Sequence, residues 1–259
     1  MNEKAGSLLK SIEKENEIVI VMAAETGSHS FDLESPESDR DIRFLFVRAN
    51  IREYLSIELQ PDVISLWKSD YEIEGWDIFK AFRLILKSNP NLFEWFHSRT
   101  YEGSNEVFMA EMKSLMASHY SLRNLGQHYY HMCVSNLNQL SKNSGSDKKG
   151  HKTMVQAARC YLMLSFLLQK QALPPLAVSQ LLKEVNMDWK LSSVFEGLFQ
   201  AKRSDVYFSK EKILKIGSLF EGELISAKNL LITLPEGTDM EDRLNKTIWE
   251  CLDIGQGGK

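Results

Sequence analysis

Residues 18–47 read IVIVMAAETGSHSFDLESPESDRDIRFLFV, and the parsing of this stretch decides the organisation of the chain. Ile18–Ala23 is short, β-branched and almost continuously apolar, which predicts a strand buried on both faces. Glu25-Thr26-Gly27-Ser28 predicts a turn, a polar loop containing Pro36 follows, and Asp41–Val47 predicts a second strand. Asp39 and Asp41 stand two residues apart, so their carboxylates project from the same face of that strand. Like charges held this close repel unless a cation lies between them, and hard oxygen donors suit Mg2+. A tight Gly-Ser turn just after a buried strand brings backbone N–H groups and a hydroxyl close to a phosphate. Carboxylate-held metal beside a phosphate-gripping turn is the equipment of phosphoryl or nucleotidyl transfer.

A two-metal site calls for a third acid. Asp62–Trp67 and Asp70–Ile73 predict two further strands, and Glu72 and Glu74 share one face of the segment Tyr71–Gly75. Glu72 is the favoured third carboxylate, with Glu74 and Asp77 as the alternatives. The expected geometry brings three acids from separate strands together around divalent cations. A salt bridge in the gap between them would argue against it.

From Asp77 the apolar period changes. Ile78, Phe82, Ile85 and Leu86 fall on one helical face with Asp77 as N-cap. Asn89 caps a second helix, with Pro90 at its first position. Beyond about residue 105 strand signals vanish, and helical spacing covers roughly 107–120, 122–142, 150–171, 175–186, 208–233 and 239–253. The expected fold is α+β: an N-terminal mixed β-sheet flanked by helices over residues 1–105, then an all-helical domain over 106–254, with 255–259 a disordered tail. Trp76, Trp95 and Phe96 are assigned to core packing between the two domains.

Composition narrows the function classes. Hydrophobic residues are 43% and charged residues 25% of the 259, the balance of a globular chain with a real core. The net charge of −4 excludes a global basic field for nucleic acid, leaving only local patches. Three widely spaced cysteines, Cys133, Cys160 and Cys251, form no CxxC pair, which speaks against a disulfide framework or zinc cluster and for a reducing cytoplasm. The charged N-terminus lacks a signal-peptide core, and the apolar run 160–168 is too short to span a bilayer.

The order of hydrophobic strand, Gly-Ser, roughly ten residues, Asp-x-Asp and a later strand acid is similar to the motif of the DNA polymerase β-type nucleotidyltransferase superfamily. More narrowly, Glu25–Val47 resembles a bacterial and phage branch of predicted nucleotidyltransferases, some of them associated with RNA ligases. Gly75-Trp76-Asp77 followed by Lys80, the segment KSNPNLFEWF at 87–96, Tyr130-His131, Lys152, Arg159 and Pro174-Pro175 recur in matching order. The likeness runs from about residue 5 to about residue 185. It implies that Gly27 and Ser28 hold the triphosphate, that Asp39 and Asp41 hold the metal ions, and that Glu72 matches the third acid. The branch usually reads GSRAxG at the turn; here His29, Ser30 and Asp32 stand at the arginine, the small residue and the last glycine.

Other candidates are weighed against blander roles. Lys152 and Arg159 lie seven apart and share a helical face, so they could line a nucleotide or nucleic-acid acceptor, though a solvated face is commoner on spacing alone. His29 sits inside the phosphate turn. Arg43 is placed to contact phosphate or, equally, to salt-bridge an active-site acid. Tyr129, Tyr130 and His131 could stack on a base but more often such aromatics are core. The expected function is transfer of a nucleoside monophosphate from an NTP to a hydroxyl, with Mg2+ or Mn2+ and release of pyrophosphate. RNA ends, a protein side chain and a small alcohol or antibiotic are the candidate acceptors, with no membrane partner and a cytoplasmic setting. The alternative is a weak or inactive nucleotide-binding module, a sensor or partner of an RNA-processing enzyme.

Overall fold

The computed structural model describes residues 3–58, 60–68, 70–142 and 147–253. The expected tail at 255–259 and residues 143–146 lie outside the described residues; of the polar loop KNSGSDKKG expected at 142–150, residue 142 and residues 147–150 are helical. The chain forms two compact units: residues 1–27, 39–120 and 238–259 in the first, and 28–38 with 121–237 in the second.

The first unit is built on a five-stranded sheet in the order β3-β4-β2-β1-β5. Its strands are β1 (Ile18–Thr26), β2 (Arg40–Arg48), β3 (Val63–Lys68), β4 (Tyr71–Asp77) and β5 (Arg99–Thr100). Strand β2 pairs antiparallel with β1 and parallel with β4, and the outer pairs β1/β5 and β3/β4 are antiparallel. On β2 the residues Ile42, Phe44 and Phe46 alternate onto the face covered by α1 (Glu3–Asn16), where they meet Ala5, Leu9 and Ile12. The other face carries α2 (Ile78–Ile85) and α3 (Pro90–His97). Two-sided cover explains why Phe44–Val47 are all buried. The same holds for β1 over Val21–Ala24, but Val19 is 49% exposed, so burial on both faces does not extend to that end.

Helix starts follow local chemistry. The Asp77 carboxylate accepts from the Phe79 amide at 2.9 Å, and the Asn89 side chain accepts from Leu92 N at 3.2 Å with Pro90 in the first turn. Helix α4 (Glu106–His119), capped by Asn105, also belongs to the first unit, where Phe108 meets Phe96 at 5.8 Å between centroids. Trp76 and Trp95 pack on each other at 4.3 Å inside this unit. They are therefore part of its own core and not of the expected packing between two domains. Helix α10 (Glu241–Cys251) returns to the same unit through Arg243, 3.5 Å from Glu111.

The second unit comprises α5 (Leu122–Lys142), α6 (Asp147–Lys170), α7 (Val178–Glu184), α8 (Trp189–Arg203) and α9 (Lys210–Leu230), together with the loop 28–38. Helix α8 lies in the interval 187–207 that sequence reading left unassigned. Cys133 and Cys160 are buried free thiols and Cys251 is half-buried. Among the described residues no helix is long and apolar enough to cross a membrane.

Candidate active site

The first unit brings Gly27, Asp41, Arg43 and Glu72 to one end of the sheet. Register does this: Thr26 pairs with Asp41 across β1/β2, and Asp41 pairs with Glu72 across the parallel pair β2/β4. Directly paired residues share a face, so the Asp41 and Glu72 side chains stand side by side. Arg40, between the two aspartates, turns to the other face, with its Nε 3.8 Å from Glu25.

Gly27 has φ +67°, and a Cβ built there would collide with Asp41 Oδ2. Only glycine permits both this left-handed backbone and the close approach of the carboxylate. The glycine of the motif is thus required by the acid of the motif.

Arg43 fills the gap between the two acids. Its Nη2 lies 3.2 Å from Asp41 Oδ1 and 2.7 Å from Glu72 Oε1. Of the two roles open to Arg43, the salt bridge to a candidate acid is the one seen. Asp39 is exposed, one residue before β2 begins. Among the described residues no group of three or more His, Cys, Asp or Glu side chains is arranged to hold a metal ion. The three-acid convergence expected from sequence is therefore not met: a pair of acids remains, and the salt bridge that counts against the expected geometry is present, a guanidinium standing where a divalent cation was expected.

The donor set still fits such a cation. Two carboxylates on adjacent strands, 20% and 47% exposed, aim an oxygen each at one positive group, and hard oxygens at a half-open strand end suit Mg2+ or Mn2+. A metal bound there would have to displace Arg43 from the pair.

The reserve acids are accounted for otherwise. Glu74 pairs with Arg43 in register, and its Oε1 accepts from Trp76 Nε1 at 2.7 Å. Asp77 lies at the far end of β4, opposite Phe46, 5% exposed, where Tyr54 donates its hydroxyl to Oδ2 at 2.6 Å. Burial raises the Asp77 carboxyl above the ordinary range, partly offset by these hydrogen bonds. A cavity of about 330 Å³ at this far end is lined by Arg48, Glu53, Tyr54, Asp77, Phe79 and Arg83 among others. It is at the opposite end of β2 from Asp41.

In the second unit, Ser28 and His29 begin the loop within a short 3-10 turn that spans Gly27–Phe31, and both are half-exposed. Ser28 O accepts from Leu33 N at 2.9 Å, closing the loop. Asp32 adopts φ +56°, the left-handed backbone that a glycine at this place would favour. On α6, Lys152 is exposed but Arg159 is only 3% exposed, with its guanidinium 4.0 Å from the centroid of the Phe31 ring. Spacing alone suggested a shared open face for these two cations, which burial separates. Tyr129 is fully buried core, whereas Tyr130 is half-buried and His131 exposed.

The chain matches a family described as the RNA repair pathway DNA polymerase beta family, RlaP, over residues 1–250. It is 28% identical to the uncharacterized protein YcgL of Bacillus subtilis (strain 168) over 259 residues, covering 98% of this chain and 97% of that protein. A solved nucleotidyltransferase-like protein from Exiguobacterium sibiricum 255-15 matches at 14% identity, with a TM-score of 0.33 over 88% of this chain and 73% of that one. That last likeness is too loose to bear on the site.

Proposed function

This chain belongs to the RNA repair pathway DNA polymerase beta family, and from that premise we propose that it is a metal-dependent nucleotidyltransferase moving a nucleoside monophosphate from an NTP to a hydroxyl, on RNA or on a protein. The observation that carries the reading is the in-register pairing of Asp41 with Glu72 beside Gly27. Asp41 and Glu72 are the acids that would hold Mg2+ or Mn2+, and the exposed Asp39, one residue before β2, would have to turn in to join them. When bound, the metal would lower the pKa of the attacking hydroxyl and offset charge on the departing pyrophosphate.

The chain's own residues do the remaining work. Gly27, which leaves room for the Asp41 carboxylate, would lead the turn in which Ser28 and His29 offer amides and side chains to the triphosphate oxygens. Arg43, once displaced from the acid pair, is a cation within reach of phosphate. In the reaction the acceptor oxygen bonds to the α-phosphorus as the bond to the α–β bridging oxygen breaks. Pyrophosphate leaves and the hydroxyl proton is released.

The test is incubation with each α-labelled NTP, Mg2+ and total cellular RNA or lysate. Label should enter one macromolecule and be lost in the Asp39→Asn/Asp41→Asn double variant; label uptake that survives the double substitution would sink the assignment. A second reading is favoured by the Arg43 bridge and by His29, Ser30 and Asp32 in the turn: a module that binds NTP without turnover, as a partner of an RNA-processing enzyme. Calorimetric NTP binding with no labelled product from any acceptor would select it.

A further inference from the structure

The loop 28–38 is held by side chains from three helices, and its two most constrained residues are neighbours. Asp32 takes a left-handed backbone that L residues other than Asn and Asp rarely adopt. Both of its acceptor groups are used. Arg203, at the end of α8, donates from Nε to the Asp32 carbonyl at 2.6 Å, and Ser179 on α7 donates its hydroxyl to Asp32 Oδ2. Phe31, 6% exposed, lies under the Arg159 guanidinium from α6. Further along, the Lys202 amine lies 3.3 Å from the hydroxyls of Ser35 and Ser38, and Ser35 donates to Asp205 at 2.8 Å.

We infer that Arg203 and Ser179 are positioning residues that clamp the loop at Asp32 and so set the shape of the Ser28–His29 segment for triphosphate. The inference rests on the nucleotide-binding reading of that segment. The physical argument is one of compensation. A glycine at position 32 would enter the left-handed region without steric cost, whereas Asp32 enters it with a Cβ and is retained by contacts a glycine could make only in part. The Leu33 N to Ser28 O bond carries the constraint from Asp32 back to Ser28. Arg203 acts on the loop through the Asp32 backbone and Arg159 through the Phe31 ring.

The experiment uses the full chain with Arg203→Met, Arg203→Lys, Ser179→Ala and Asp32→Gly, read by hydrogen exchange at the amides of residues 28–33 and by calorimetry with MgATP and MgGTP. Arg203→Met should speed exchange at Leu33 N by about tenfold or more while β2 amides keep their protection. It should weaken nucleotide binding about tenfold, the scale on which supporting partners act on a site. Arg203→Lys should recover part of both effects. Ser179→Ala should act in the same direction more weakly, and should lose its effect in the Asp32→Gly background, where no carboxylate remains to hold. Unchanged exchange and unchanged nucleotide affinity in both Arg203→Met and Ser179→Ala would overturn the clamp. Should Arg203→Met fail to fold, Ser179→Ala alone against Asp32→Gly decides. If the wild-type chain binds neither nucleotide, the functional reading fails, and faster exchange at 28–33 still supports the clamp on the loop.

Discussion

The two ends of strands β2 and β4 each hold acids, and they neutralise them in different ways. At the Gly27 end, Asp41 and Glu72 are partly open to solvent and share the guanidinium of one long side chain, Arg43. At the far end Asp77 is buried and receives the Tyr54 hydroxyl and the Phe79 amide, donors carried by a rigid ring and by the backbone itself. Fixed neutral donors make Asp77 a helix cap. A shared cation on a flexible stem is the kind of partner that a metal ion would have to displace from Asp41 and Glu72. Proximity of acids is common to both ends; compensation by a shared, flexible cation belongs to one.

Substitutions can break this contrast. The largest expected effect is on turnover: Asp41→Asn should lower NTP-dependent labelling by roughly 10²–10³-fold, the scale of losing one electrostatic contact to developing charge. Asp77→Asn, measured in the same labelling assay, should leave turnover within about threefold if it remains folded. Equal losses from the two would erase the distinction between the ends. Next is Gly27→Ala, which combines a left-handed φ with a collision against Asp41. A loss of about 1–3 kcal/mol in urea unfolding, accompanied by loss of MgATP binding, is expected.

A smaller effect sharpens the comparison. Arg43→Gln leaves Asp41 and Glu72 facing each other without their shared cation. The melting temperature in chelator should fall by a few degrees, consistent with about 0.2–1 kcal/mol for a partly exposed pair. Added Mg2+ or Mn2+ should then raise it more in the variant than in the wild type. A variant indifferent to divalent cations would show that this acid pair has no use for one.

The smallest effect is the pH dependence at the far end. Burial raises the folded-state pKa of Asp77, so the native chain retains a proton over a range where the unfolded chain has lost it. The contribution of Asp77 to stability is therefore largest in acid and declines as pH rises through the folded pKa. The stability of wild type minus that of Asp77→Asn should accordingly decrease as pH rises above the ordinary carboxylate range, measured by denaturant titration at several pH values. An increase would place the balance with the hydrogen bonds from Tyr54 and Phe79 instead of with desolvation.

Much of the first unit was legible in local pattern. The alternation Ile42, Phe44, Phe46 and the change of period at Asp77 are short-range signals, and the caps Asp77 and Asn89 act on amides two or three residues away. Glu72 could be favoured over Glu74 and Asp77 from sequence, but only the β2/β4 register sets it directly beside Asp41. Helix α8 went unread although Leu191, Phe195, Leu198 and Phe199 have helical spacing and Asp188 caps it at 2.8 Å. That signal was present and sufficient. The role of Arg159 was not recoverable in the same way, because Phe31, the ring it covers, lies more than a hundred residues earlier.

Local pattern was enough for the class of fold, strands β1 to β4, the caps Asp77 and Asn89 and the order of the Gly-Ser and Asp-x-Asp motif, since each depends on residues a few positions apart and on the faces that periods of two and 3.6 define. Tertiary structure alone decided that a guanidinium lies between Asp41 and Glu72, that Asp39 stands outside that pair, and that Asp32 is bound by Ser179 and Arg203. Those outcomes depend on which strands become neighbours and which helix ends meet a distant loop. Competition among charged partners is settled by distance in space, which a linear pattern does not encode.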